Sequence, residues 1–264
     1  MTDTIGYEDG VLTYFGDTFK VKLNRYSDPE RLNLSKSAAI YLGKRDFKNV
    51  RRPLTILRKR HVPAIFRGEM AEFEFIDVSK EVYDHIITYT TANMRAAGGN
   101  RALVSDDFTM PSDKMKNPGR VRDNIIRSMQ AYQDNLEAGE TPQVSRSAMP
   151  VAAKLNTFLY QFNFVTLGES IFKQRIWEKG AQGNTVKVIK AMYELCSHMD
   201  KELWDTFYKY HGTPSIEWAL TGDKLEKLTM YQLVNKLQET SLDISQRPAV
   251  EVLRSLFGEQ KTMW

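Results

Sequence analysis

GETPQVSRSAMPVAAKLNTFLYQFNFVTLGESIFKQRIWEKGAQ, residues 139–182, is the stretch on which the reading of this chain turns. Two arginines, Arg146 and Arg175, stand in it among amides and aromatic residues. Phe158, Tyr160, Phe162 and Phe164 recur at every second position, a set more often core than stacking platform. By periodicity alone residues 151–162 are ambiguous, and 163–178 lean helical. Just upstream, Ile125, Met129, Tyr132 and Leu136 fall on one face of a helix over 121–138 that Gly139 ends.

Working outward, residues 11–23 (VLTYFGDTFKVKL) read as β structure with a turn at Gly16-Asp17. Asp28-Pro29 reads as a helix start, with an acidic cap and proline at the first helical position, and that helix runs to Tyr41. A basic segment over 44–60 follows, in which Val50, Leu54 and Leu57 keep helical spacing. It is read as a solvated helix face, or otherwise as the approach for an anionic cofactor. Residues 69–78 alternate, with Phe73 and Phe75 on one side and Glu72 and Glu74 on the other, as in a half-buried strand. Residues 80–95 read as helix up to a break at Gly98-Gly99, and 105–120 as loop. One long helix is expected over 184–211, with Val188, Met192, Leu195 and Met199 as its stripe and Gly212 and Pro214 as its stop. Shorter helices near 223–239 and 247–257 complete the chain. The order predicts an α+β fold, an antiparallel sheet packed with several helices, over 1–212, with a C-terminal helical extension over 213–264.

The 264 residues carry 37 basic and 33 acidic side chains spread along the chain, for a net charge of +4. A small anionic ligand suits that balance as well as a polymer does, and basic charge concentrated on one face, the mark of a nucleic-acid binder, is not evident. The single cysteine, Cys196, rules out an intramolecular disulfide and a cysteine-based zinc site, and reads as a buried inert thiol. The four histidines show no metal-ligand spacing, so no metal is expected. There is no P-loop or Rossmann glycine pattern, no H-E-x-x-H and no G-x-S-x-G. No apolar stretch approaches the roughly 20 residues of a membrane helix, and MTDTIGYEDG lacks a secretory signal's features, so a cytoplasmic protein is expected.

The chemistry-bearing residues of 139–182 fall in a recognisable order. Ser145-Arg146-Ser147-Ala148-Met149-Pro150 lines up with an A-R-x-x-L-P element. Phe158, Tyr160, Asn163 and Leu167 line up with T-x-F-x-W-x-x-N-L-R-S-L, with tyrosine for tryptophan. Arg175 takes the place of a later arginine after one inserted residue, and Ala181-Gln182 takes that of the end of H-A-Q. In these elements the chain resembles the flavin-dependent (alternative) thymidylate synthases. Val21 through Leu42 resembles that family's opening strand and helix, and His61 falls where the family has G-H, so the likeness extends over residues 20–212. The family hallmark R-H-R-x-x-S-x-N-E-x-S-x-R-Y is degenerate here. Its stretch reads TYTTANMRAAGGNRAL (88–103), with Tyr89-Thr90-Thr91 or a neighbouring triplet for R-H-R, and Arg101 in place of the last arginine. Val165 replaces the arginine after N-L, and Gly180 replaces the histidine before A-Q.

The resemblance implies an enzyme that moves a one-carbon unit from methylenetetrahydrofolate to carbon 5 of a deoxypyrimidine monophosphate, with FAD and NADPH in the standard version. It implies that Arg146 and Arg101 hold the nucleotide and that Arg175 lies against the pyrimidine ring, as both binding and catalytic residue. His61 is placed near flavin or folate. Asn163 either hydrogen-bonds a cofactor or holds a local turn. The lost residues are those that hold FAD in the family, with Arg95, Arg67 and Lys173 left to substitute. The resemblance further implies a homotetramer with sites shared between subunits. Two other readings stand beside the enzyme: a non-catalytic nucleotide-binding homologue, and nucleic-acid binding through 44–60.

Overall fold

The computed structural model describes residues 3–59, 64–89, 94–96, 107–178, 180–181, 183–239 and 248–257. His61 and Arg101, and with them Gly98-Gly99, lie outside the described residues. The turn signals near the N-terminus act as expected. The Gly16-Asp17 turn separates β2 (Val11–Phe15) from β3 (Lys20–Tyr26), and a further hairpin, not read from the sequence, joins β1 (Thr4–Glu8) to β2 at Gly10, whose φ is 78°. The alternating run gives β4 (Met70–Ile76), with Ala71, Phe73 and Phe75 buried. β5 (Met94–Ala96) and β6 (Phe158–Asn163) complete one sheet of order β1-β2-β3-β4-β6-β5, in which every neighbouring pair is antiparallel.

Register explains the core. Phe73 pairs with Tyr160 and Phe75 with Phe158, so aromatic side chains of two neighbouring strands fall on the same face. The Phe75 and Phe158 rings stack at 4.8 Å, and Phe73, Phe75, Phe158 and Phe162 are all buried. Each such burial contributes about 1.5–3 kcal/mol. The aromatic set of 158–164 is therefore core, as its spacing predicted.

The described helices are α1 (Leu32–Tyr41), α2 (Arg52–Arg58), α3 (Lys80–Ile86), α4 (Pro118–Glu137), α5 (Pro142–Ser145), α6 (Gly183–Met199), α7 (Lys201–His211), α8 (Thr213–Glu226), α9 (Met230–Glu239) and α10 (Ala249–Phe257), and α6 packs against β2 and β3 of the sheet. The architecture is α+β, an antiparallel sheet packed with helices. No described helix is long and apolar enough to cross a membrane.

Several boundaries differ from expectation, each for a local reason. Asp28 does cap α1, its carboxylate accepting from the Leu32 and Leu34 amides at 2.8 and 2.9 Å, but it reaches across a turn, so Pro29 lies outside the helix. The helix expected over 80–95 stops at Ile86, and Met94–Ala96 is instead recruited as an edge strand by β6. The long helix of 184–211 is two helices, because Asp200 turns out of helical geometry and its carboxylate caps the Leu203 amide at 3.1 Å. Pro214 opens α8 rather than ending a helix, the first-turn position that costs proline no hydrogen bond. That helix begins at Thr213, whose hydroxyl donates to the Trp177 carbonyl at 2.5 Å. Pro118 starts α4 within the segment read as loop.

The largest departure lies in 163–178. Thr166–Trp177 is a π-helix, with its end marked by the Glu178 amide bonding the Lys173 carbonyl at 2.8 Å, five residues back. Leu167, Phe172 and Trp177, spaced by five, are buried together with Ile171. A wider turn is what that spacing requires for one face to stay inside.

Candidate functional site

The segment 141–155 is built for rigidity. The Thr141 hydroxyl accepts from the Val144 amide at 3.4 Å, Pro142 opens α5, and a 3₁₀ turn (Arg146–Ala148) runs straight on from it. The chain is then stitched to the start of α3, where the Lys80 amide bonds the Ala153 carbonyl at 2.9 Å and the Glu81 amide bonds Val151 at 2.8 Å. Between the two lies a cavity of about 350 Å³. Lys80, Gln143, Arg146 and Ser147 give its polar lining, and Met149, Pro150 and Leu155 its apolar wall.

Arg146 is half-buried, and its guanidinium has no carboxylate or hydrogen-bond partner among the described residues. Lys80 across the cavity is held by Asp84, one helical turn along α3. Burial pushes the neighbouring Glu81 carboxyl above the usual carboxylate range. A guanidinium with five donors, partly withdrawn from water and without an ion pair, is an anion receptor, and its planar fork matches two phosphate oxygens. Lys80 and Gln143 were not singled out from the sequence. Lys80 shows there only an i,i+4 partner, Asp84, which signals a helix face and nothing about the segment packed over it.

Arg175 does not line this cavity. It sits in the last turn of the π-helix, where its Nε donates to the Tyr89 hydroxyl at 2.8 Å. The Tyr89 hydroxyl donates to Gln174 Oε1 at 3.1 Å, and the Tyr89 carbonyl accepts from the Tyr160 hydroxyl at 3.0 Å. Asn163 is buried, and its Oδ1 accepts from the Thr166 amide at 2.9 Å, capping the π-helix. Of its two readings, the turn-holding one matches this contact. Cys196 is fully buried, and burial drives its thiol well above the ordinary value, an environment that disfavours the thiolate.

No protein-family model matches the chain, and no curated protein matches it in sequence. Among solved structures, a crystal structure of the UMP/dUMP methylase PolB from Streptomyces cacaoi, bound with 5-Br dUMP, matches with a TM-score of 0.59 over 73% of this chain and 96% of that one. The chain is similar in fold to a UMP/dUMP methylase. At 14% identity to PolB, the likeness is one of architecture. PolB thus accords with the α+β antiparallel class, and roles for single side chains rest on the geometry above.

Proposed function

We propose that this chain binds a deoxypyrimidine monophosphate, dUMP or dCMP, and transfers a one-carbon unit from methylenetetrahydrofolate to carbon 5 of its base. The observation that carries the reading is the Arg146 guanidinium, without an ion pair among the described residues, in a cavity of about 350 Å³ on a fold similar to that of PolB. Arg146 takes the phosphate, with Lys80 as the cation facing it and Arg101 as the family's second contact. Arg175 takes the pyrimidine ring. When carbon 5 becomes nucleophilic, negative charge develops at ring nitrogen 3 and the adjacent oxygen, and a fixed guanidinium binds that state more strongly than the ground state. His61 and Asn163 hold the positions nearest flavin or folate in the resemblance. The sites are shared between subunits of a homotetramer, and residues 213–264 cap the subunit or add to its interface.

The described residues do not fit FAD in the family's manner. Tyr89 stands at the start of the degenerate R-H-R element and binds Arg175. Val165 is an apolar residue packed on the core, and the Asn163 carbonyl oxygen is used in a cap. At Gly180 a Cβ would meet the Gln174 carbonyl at 2.4 Å, so no histidine is accommodated there. This favours the redox-neutral outcome. The methylene unit bonds to carbon 5, the carbon 5 proton is lost, tetrahydrofolate departs and water adds to give a hydroxymethyl group. The same losses support a second reading, a nucleotide-binding homologue without turnover.

The first measurement is the visible absorption spectrum of the purified protein, followed by titration with dUMP and dCMP and assay with methylenetetrahydrofolate. Colourless protein that turns over either nucleotide without NADPH supports hydroxymethyl transfer, and flavin bands with NADPH-dependent methylation support the standard reaction. Nucleotide binding without turnover selects the second reading, and no binding removes both. Arg146→Ala is expected to weaken nucleotide binding about a hundredfold with an unchanged melting temperature, and Arg146→Lys to fall between, because a point charge replaces the fork.

A further inference from the structure

Tyr89 holds Arg175 in a specific way. Its hydroxyl takes the Nε of the guanidinium at 2.8 Å, and the guanidinium carbon lies 5.6 Å from the ring centroid. Tyr89 is itself fixed at two points on different elements, its hydroxyl on Gln174 of the π-helix and its carbonyl on Tyr160 of β6. The Nη nitrogens of Arg175 have no partner among the described residues. Its Nη edge is thus a pair of parallel N–H donors with no acceptor among the described residues. A guanidinium loses little rotamer freedom on binding when its stem is already held.

Building on the nucleotide reading above, we infer that Tyr89 is a positioning residue. It claims Nε and leaves the Nη fork of Arg175 as an all-donor clamp for a planar edge of two adjacent acceptors on the pyrimidine. Neutral cytosine offers such an edge at nitrogen 3 and oxygen 2, and uracil offers one once nitrogen 3 has lost its proton. The charge favoured by the clamp is the charge that activates carbon 5, so the phenol acts on the base through Arg175 without touching it.

The test is calorimetric titration of the full-length protein with dCMP, dUMP and inorganic phosphate, using the wild type, Tyr89→Phe, Arg175→Lys and the double variant. Tyr89→Phe keeps the ring and removes the acceptor. It is expected to weaken the nucleotides about tenfold while leaving phosphate, which needs only the Arg146 cavity, unchanged. In the Arg175→Lys background the same change is expected to have less than about a twofold effect, since the contact is already gone. Gln174→Ala, at an exposed position, frees the phenol without disturbing the core and moves nucleotide affinity in the same direction. Nucleotide affinity unaltered by both Tyr89→Phe and Gln174→Ala, or equal losses for phosphate and nucleotide in both Arg175 backgrounds, overturns the role of Tyr89 while leaving the nucleotide reading intact. A wild type that binds neither nucleotide overturns that reading itself.

Discussion

Buried carboxylates show how single residues set the pH response of this fold. Glu69 is 6% exposed beside Asp28, and it accepts from the Ser27 hydroxyl. Burial raises its carboxyl above the usual 4.5, the Asp28 charge adds to the rise, and the Ser27 bond opposes it. The folded state thus holds this proton more tightly than the unfolded chain does. Its contribution is complete below the ordinary carboxylate value and is lost as pH rises from there through the raised folded value. Asp200, raised chiefly by burial, acts in the same direction. Glu69→Gln keeps an acceptor for Ser27 and removes the charge. Urea midpoints of this variant should decline less than those of the wild type from pH 4.5 toward neutrality, and parallel curves would contradict the assignment.

At the scale of elements, the π-helix is the feature with most consequence for the site. It carries Arg175, and its packing against α7 leaves no room at Gly168, where a Cβ would meet the Phe207 ring at 2.6 Å. Phe207 cannot swing aside, because it stacks on Trp204 at 5.3 Å and meets Phe66 edge-on at 5.6 Å. Gly168→Ala is therefore expected to cost about 1–3 kcal/mol in a denaturant titration, as overpacked cores do. Adding Phe207→Leu should recover part of that loss relative to the sum of the single changes. Strict additivity would show that the ring is not the obstacle. The strands β2 to β4 were legible because alternation survives in them, as at Phe73 and Phe75, whereas β1, β5 and β6 were not read as strands. The π-helix was not, because apolar residues spaced by four and five mimic an α-helix whose face has merely blurred.

Across the whole molecule, Arg146 and Arg175 belong to different parts of the chain. Arg146 lies in a cavity against α3, and Arg175 lies at the end of the π-helix beside Tyr89. A site shared between subunits would use both. Its signature is complementation, in which Arg146→Ala and Arg175→Ala proteins, each weak alone, form mixed oligomers with some intact sites after co-refolding. Recovery of nucleotide binding in the mixture, with a tetramer by light scattering, would support shared sites, and failure to recover any would place both arginines in one subunit's site.

Read alone, the sequence determined the class of fold, the core aromatics, the strands β2, β3 and β4, and the arginines worth testing. Those features are written in local periodicity, in turn and cap residues, and in the order of a few motifs. Only the tertiary structure decided that Lys80 and Gln143 share a cavity with Arg146, that Met94–Ala96 is a strand, that Asn163 caps a π-helix, and that Tyr89 claims one edge of Arg175. Each of these depends on which distant segment arrives to supply a partner. Lys80 and Arg146 are brought together by backbone bonds from Lys80 and Glu81 to Ala153 and Val151, contacts between stretches some 70 residues apart that no local pattern encodes.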